Sequence, residues 1–362
     1  MNGPAMARVN KIENAKKHLI RSGALILKAI EQLTNIAPGP QFLLVMDEAD
    51  RLVGTITDGD IRKSLISRNS LEGSVDDHMQ TQPIVANVSD DEATKRLIMN
   101  NVRSTIKFLP ILNTRRQLEE VIYLSDEIRM DISALIMAGG FGTRLKHETA
   151  TKPKALVEVD DFPLIENVLK NIESAGVRNI FVSVHYLGEM IEDYIKQTGR
   201  RHSVSVLRET KPLGTAGAIQ LISPKLKTDL LIANCDLVTD LRMSDMIDFY
   251  YASQTDASIA VAKHRFTVPF GVIRSSPSGR FNGIDEKPTI TNYVSAGIYC
   301  ISKSFMRSVR HEGSIDMPQY LEMGVKSGLN VSLFPLHEEW EDIGTLEQLK
   351  KIKEQNHQRK KK

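Results

Sequence analysis

Ser133-Ala134-Leu135-Ile136-Met137-Ala138-Gly139-Gly140-Phe141-Gly142-Thr143-Arg144-Leu145 is the stretch on which the fold turns. Its first five residues make a near-continuous apolar run, the pattern of a strand buried on both faces. The run ends in Gly139-Gly140, and Ile165, Val168, Leu169 and Ile172 then recur at helical spacing until Gly176. The segment therefore reads as strand, loop and helix. Further strands are expected at 179–184, 204–207, 230–233 and 258–262, with helices between most of them, including 243–252. Such alternation predicts an α/β domain: a Rossmann-like, mainly parallel sheet covered by helices, with its site outside the carboxyl ends of the strands.

The loop after the first strand lies where such a sheet binds nucleotides. Its glycines let backbone N–H groups approach phosphate oxygens with no Cβ in the way, and Arg144 adds a permanent cation with a forked set of donors. Lys154, after Pro153 in Thr151-Lys152-Pro153-Lys154-Ala155-Leu156, brings a second positive charge. Two cations and a glycine loop suit a triphosphate. Neither G-x-x-x-x-G-K-[ST] nor G-x-G-x-x-G is present in this loop, which argues against kinase-like and dehydrogenase-like readings.

The run Gly139 to Leu145, followed by Lys152 to Leu156, resembles the signature of the sugar nucleotidyltransferases. The resemblance extends from Ser133 to about Gln355, through later motifs in the family's order. It implies a nucleotidyltransferase, GT-A-like sheet in which Ala138, Gly139, Gly140, Gly142 and Thr143 surround the nucleotide. Arg144 would hold the triphosphate and stabilise the leaving pyrophosphate, and Lys154 would neutralise the phosphates around the attacked phosphorus. Pro212-Leu213-Gly214-Thr215-Ala216-Gly217, with Glu209 before it, resembles the loop beside the base and its sugar. Glu209, Gly214 and Thr215 are its expected contacts, and the spelling leans to the guanylyltransferase branch.

Asn234-Cys235-Asp236 ends a buried strand, and a carboxylate there needs a partner. By resemblance, Asp236 and Asp342 of Trp340-Glu341-Asp342-Ile343-Gly344-Thr345 would hold Mg²⁺, a cation typically bound through one or two carboxylates plus substrate phosphates. Gly271, Glu286, Lys287 and Ser295 fall in elements that resemble the family's contacts to the sugar phosphate. The implied reaction joins an NTP and a sugar 1-phosphate into an NDP-sugar and pyrophosphate. The nucleophile is already an anionic phosphate oxygen, so no general base is needed, and His147 and His185 are read as structural or peripheral. GTP with glucosamine 1-phosphate is the first expectation. Mannose 1-phosphate, UTP or dTTP, and a non-catalytic regulatory subunit are the alternatives.

Before the charged stretch 126–133 the chain is built differently. Helices expected at 26–33, 60–67 and 90–100 and strands at 42–46, 53–57, 108–112 and 120–124 fall into two copies of one helix–strand–turn–strand unit. Gly54-Thr55-Ile56-Thr57-Asp58-Gly59-Asp60-Ile61-Arg62 resembles a segment of CBS domains, paired α+β regulatory modules that often bind adenine nucleotides. Thr57 and Asp60 then contact a ribose, or Asp60 caps the next helix. In the second copy Glu120, Tyr123 and Asp126 stand at the places of Gly54, Thr57 and Asp60. The expected division is a tandem CBS domain over 1–130, a nucleotidyltransferase domain over 131–356 and a basic tail over 357–362. The combination resembles guanylyltransferases of legionaminic-acid-type pathways, and implies a homo-oligomer.

Composition sets the outer limits. The chain has 362 residues, 41% hydrophobic and 25% charged, with a net charge of +2. That balance demands no nucleic-acid partner, and no apolar run approaches the roughly 20 residues that cross a bilayer. Met1 to Asn10 lacks the apolar core of a signal peptide, so a cytoplasmic protein without a membrane partner is expected. Cys235 and Cys300, the only cysteines, lie in apolar strand-like stretches and are read as buried thiols.

Overall fold

The computed structural model describes residues 8–36, 40–68, 72–100, 107–125, 132–142, 145, 149, 151–159, 162–222 and 224–359. Its largest sheet has seven strands in the order Val204–Arg208, Ile180–Val184, Ile132–Met137, Asp229–Asn234, Thr289–Ile301, Ala257–Thr267, Val331–Pro335. The first four run parallel. Thr289–Ile301 is antiparallel to both neighbours, so the sheet is mixed rather than uniformly parallel. The cause is local: after Ala257–Thr267 the chain makes the small hairpin Val272–Ser275 and Phe281–Asp285 and comes straight back alongside, with no crossover helix.

Ile132–Met137 lies inside the sheet because it can be covered on both faces. Ala134 and Ile136 enter one core cluster and Leu135 the other, as alternating strand residues must. Ser133, fully buried in this strand, is satisfied by the Thr228 hydroxyl at 2.8 Å and by the Asn179 amide, which donates at 2.9 Å. The following helix, Leu164–Ser174, buries Leu164, Ile165, Val168, Leu169 and Ile172. Each contributes about 1.5–3 kcal/mol by leaving water. Gly176, at φ +81°, stops it.

From Ile132–Met137 the chain moves to Ile180–Val184 and Val204–Arg208 on one side, then returns to Asp229–Asn234 on the other. A topological switch point results at the carboxyl end of Ile132–Met137, where open sheets bind ligands.

The N-terminal part contains a structural repeat. Leu19–Arg21, Ile26–Ile36, Phe42–Met46 and Leu52–Thr57 follow the same path as Ala86–Asn87, Glu92–Asn100, Phe108–Leu112 and Leu118–Ser125. In each copy the first strand pairs parallel with the second, which pairs antiparallel with the third. The copies meet through Phe42 stacked on Phe108, with ring centroids 3.9 Å apart, and through the buried Leu44, Leu52, Leu112 and Val121.

This part docks on the large sheet through the helix Asp58–Arg68, which packs against Val331–Pro335. Arg62 is fully buried there, bonded to Asp58 Oδ2 at 2.6 Å, Glu338 Oε1 at 2.5 Å and the Pro335 carbonyl at 2.7 Å. Its guanidinium lies 3.9 Å from the centre of the Phe334 ring. The last helix, Leu346–Arg359, takes in the first three residues of the stretch read as a basic tail; 360–362 lie outside the described residues. Among the described residues no helix is long and apolar enough to cross a membrane.

Candidate active site

The cleft at the switch point has a volume of about 410 Å³ and is lined by Gly139, Gly140, Gly142, Lys154, Asp236 and Asp342, among others. Three strand ends supply it. Ala138, buried just beneath, donates its N–H to the Ser183 carbonyl at 2.9 Å and anchors the start of the glycine loop. Gly142 has φ +62°, and a Cβ there would sit 2.9 Å from Thr149 Cγ2 and 3.2 Å from Lys154 Cβ. Only glycine fits this turn, which keeps the loop against Lys154. Thr143 and Arg144, with His147, lie outside the described residues.

Lys154 opens a short turn, Lys154–Leu156, and its ammonium forms an ion pair with Asp236 Oδ2. Asp236 follows the strand Asp229–Asn234. Beyond it, Leu237–Thr239 pairs antiparallel with Trp340–Asp342, in a register that sets Leu237 opposite Asp342. The Ile343 N–H donates to the Asp236 carbonyl at 3.1 Å, so the two aspartates, far apart in sequence, share one ladder.

Asp236 Oδ1 is buried and has no hydrogen-bond partner. An orphaned carboxylate oxygen beside a second carboxylate and an open cleft suits a hard divalent cation that takes its other ligands from phosphate and water. Among the described residues no cluster of three or more metal-ligating side chains exists. Cys235 lies under the same floor. Burial, then the charge of Asp236, raises its thiol pKa; Asp342 adds to this and Lys154 opposes it. Both cysteines are free and buried.

Glu209, Gly214 and Thr215 line the opposite wall. Glu209 works mainly on the protein itself: it accepts from the Ser183 hydroxyl and from the Leu213 N–H, the latter at 3.0 Å. Gly214 has φ +78°, and a Cβ on it would come within 2.5 Å of the Ile315 carbonyl oxygen. Asp316 holds this loop from behind. Its Oδ1 accepts the Thr215 N–H at 3.0 Å and the Thr215 hydroxyl at 3.2 Å. Asp316 was not found from the sequence. Before Met317-Pro318 it reads as an ordinary helix N-cap, yet its side chain makes no cap bond and turns to a loop 101 residues away.

The residues expected at the sugar phosphate sit in the second half of the domain. Glu286 packs on Gly271, where a Cβ would meet its Oε2 at 2.8 Å, and Lys287 has φ +44°. The Ser295 hydroxyl bonds the Tyr299 hydroxyl at 2.7 Å. None of the four is among the described residues lining the cleft. Gly271, Glu286 and Lys287 adjoin the exposed hairpin Val272–Ser275 and Phe281–Asp285, whose distance from the loops no motif order dictates, and Ser295 lies within the strand Thr289–Ile301.

At the other end of the molecule, Asp60 Oδ2 accepts from the Thr57 N–H at 2.9 Å and the Thr57 hydroxyl at 2.7 Å. The pair closes on itself at the start of the helix Asp58–Arg68. Asp126 of the second copy lies outside the described residues.

Comparison with known proteins bears on the chain that carries this glycine loop, lysine and pair of carboxylates. The nucleotidyl transferase family matches residues 133–359, the whole of the large sheet. The chain belongs to this family. The mannose-1-phosphate guanylyltransferase catalytic subunit beta of Danio rerio is 31% identical over 226 residues, covering 59% of this chain and 61% of that protein. Mannose-1-phosphate guanylyltransferase 1 of Arabidopsis thaliana is 30% identical over 223 residues, covering 59% and 61%. The chain thus spans about three fifths of the length of the curated relatives it matches. Among solved structures, HddC from Yersinia pseudotuberculosis is 25% identical, with a TM-score of 0.49, covering 62% of this chain and 99% of that one.

Proposed function

We propose that this nucleotidyl transferase is a guanylyltransferase that joins GTP and a hexose 1-phosphate. A phosphate oxygen of the sugar 1-phosphate attacks the α-phosphorus in line, the new P–O bond forms, and the bond to the bridging oxygen breaks, releasing pyrophosphate. Two polyanions must be held together, so positioning and charge neutralisation do the work. The observation that carries this reading is the group at the cleft floor: Lys154 paired with Asp236, whose second oxygen is orphaned beside Asp342.

Asp236 and Asp342 are the residues that would hold Mg²⁺. When bound, the ion supplies charge neutralisation at the phosphates and orients them. Lys154 is then free to turn from Asp236 toward the phosphate oxygens, while the backbone of Gly139 to Gly142 lies along the triphosphate. Glu209 and Asp316 keep Leu213 to Thr215 in place beside the base. Arg144 is assigned to the triphosphate on its position in the loop motif alone.

The relatives' names favour mannose 1-phosphate as acceptor over the glucosamine 1-phosphate that the sequence resemblance pointed to. Pyrophosphate release with Mg²⁺, crossing GTP, UTP, dTTP, CTP and ATP with mannose, glucosamine, glucose and N-acetylglucosamine 1-phosphates, tests both substrates. Turnover with GTP and one hexose phosphate sustains the assignment; silence across the grid refutes it. We also assign the N-terminal repeats as a CBS pair with an adenine nucleotide at Thr57 and Asp60. Calorimetry of the full chain with AMP, ADP and ATP tests this by comparing wild type with Asp60→Ala; equal heats from both chains would exclude the site.

A further inference from the structure

A cavity of about 710 Å³ lies behind the nucleotide loop, outside the cleft described above. Arg307 and Arg310 stand on its wall, three residues apart where the helix Lys303–Ser308 ends. Among the described residues neither guanidinium has an ion pair or hydrogen bond. His311 beside them has both ring nitrogens buried with no partner, and burial lowers its pKa. The ring is thus neutral, with one donor and one acceptor to offer. It meets Tyr320 edge-on at 5.5 Å, over a floor completed by Ile219 and Met306.

Two unpaired forked cations beside an imidazole whose nitrogens have no partner match a phosphate-bearing ligand. We propose that this cavity is a second anion-binding site, taking the diphosphate of a nucleoside diphosphate or nucleotide sugar between Arg307 and Arg310. The choice of a nucleotide rests on the proposed reaction, whose products both carry a diphosphate.

The site is wired to the cleft. Gln220, which lines the cavity, donates to the Gly313 carbonyl at 3.1 Å. Two residues on, Ile315 donates to the Leu213 carbonyl at 2.9 Å and accepts from Ala216 at 3.0 Å, and Asp316 holds Thr215. A ligand that pulls on the 310–313 segment therefore bears on Leu213 to Ala216.

The test is calorimetry of the full chain with GDP and with pyrophosphate, in metal-free buffer, on wild type, Lys154→Met, Arg307→Ser/Arg310→Ser and Glu312→Gln. Lys154→Met should keep one site per chain. The double arginine variant should weaken that site by about tenfold or more for each guanidinium lost. Glu312→Gln, which removes a negative charge from the rim, should tighten it. Both arginines are exposed, so an unchanged melting curve establishes that the variant is folded. If the double arginine variant binds both probes as wild type does, the site does not exist. If Lys154→Met changes neither GDP nor pyrophosphate binding while the arginine variant abolishes both, the cleft reading fails and this one stands.

Discussion

Replacing Arg62 by methionine isolates the contact that joins the N-terminal repeats to the large sheet. Methionine keeps much of the length and the packing on Phe334 but removes the charge. Arg62 is wholly buried, and Asp58 and Glu338 beside it are only 19% and 14% exposed. The variant therefore leaves two carboxylates out of water without their cation. Breaking a buried pair from one side costs about 3–5 kcal/mol. Burial is the largest influence and pushes both carboxyls up, but the charge and hydrogen bonds of Arg62 together with His337, which bonds Asp58 at 3.0 Å, outweigh it and hold each below its ordinary value.

Depressed folded pKa values give stability that is present above the unfolded carboxyl range and is lost as pH falls through the folded values. Without Arg62 that contribution disappears. The gap between wild type and Arg62→Met should be full at pH 7 and close as the medium is acidified. Urea unfolding followed by circular dichroism and by the fluorescence of Trp340, the single tryptophan, measures it. A loss under about 1 kcal/mol at pH 7, or a gap that ignores pH, would refute the reasoning. Neutralising the partners as well, in Arg62→Met/Asp58→Asn/Glu338→Gln, should return at least half of the loss.

Further expectations follow from the same geometry. Asp236→Asn should lower pyrophosphate release on the order of 10²-fold or more and raise the Mg²⁺ concentration needed for half-maximal rate, measured at saturating substrates. Asp316→Ala removes the acceptor for the Thr215 N–H and hydroxyl, worth about 1 kcal/mol, and should raise the KM for the nucleotide roughly fivefold with a smaller effect on kcat. Burial, then the neighbouring charge of Asp245, pushes Asp248 up to about 7. A raised acid gives stability that is present at low pH and lost as pH rises, so Asp248→Asn should be more stable than wild type at pH 8, by on the order of 1–3 kcal/mol, and not at pH 4, as read by thermal melts.

Much of the arrangement was legible because it depends on short-range pattern. The apolar run at 133–137, the helical recurrence of Ile165, Val168, Leu169 and Ile172, and the strands 42–46 and 108–112 all appear where periodicity placed them. Each of these segments has an environment that reaches it through its own neighbours: a strand covered on two faces, or a helix covered on one. The glycine loop, Lys154, Asp236 and Asp342 were recognisable as chemistry for the same reason, since turn, cation and carboxylate are written in consecutive residues. Short edge strands such as Leu19–Arg21 and Ala86–Asn87 carry too few residues to show a period and went unread.

What joins those pieces was not written locally. The direction of Thr289–Ile301 follows from a return through a hairpin, and the mixed sheet with it. Asp236 and Asp342 meet because Leu237–Thr239 and Trp340–Asp342 pair across 100 residues of chain. Asp316, at the start of Met317–Lys326, holds a loop 101 residues away, and Glu209, which lines the cleft, also braces the loop at Leu213. Arg62, in a helix read as part of a separate module, is buried on the large sheet by Pro335 and Glu338. In sequence an Arg, an Asp or a Glu is most simply a solvated surface charge. Only the tertiary fold decides which of them loses its water, and a charge that loses its water must find a partner wherever the packing has brought one.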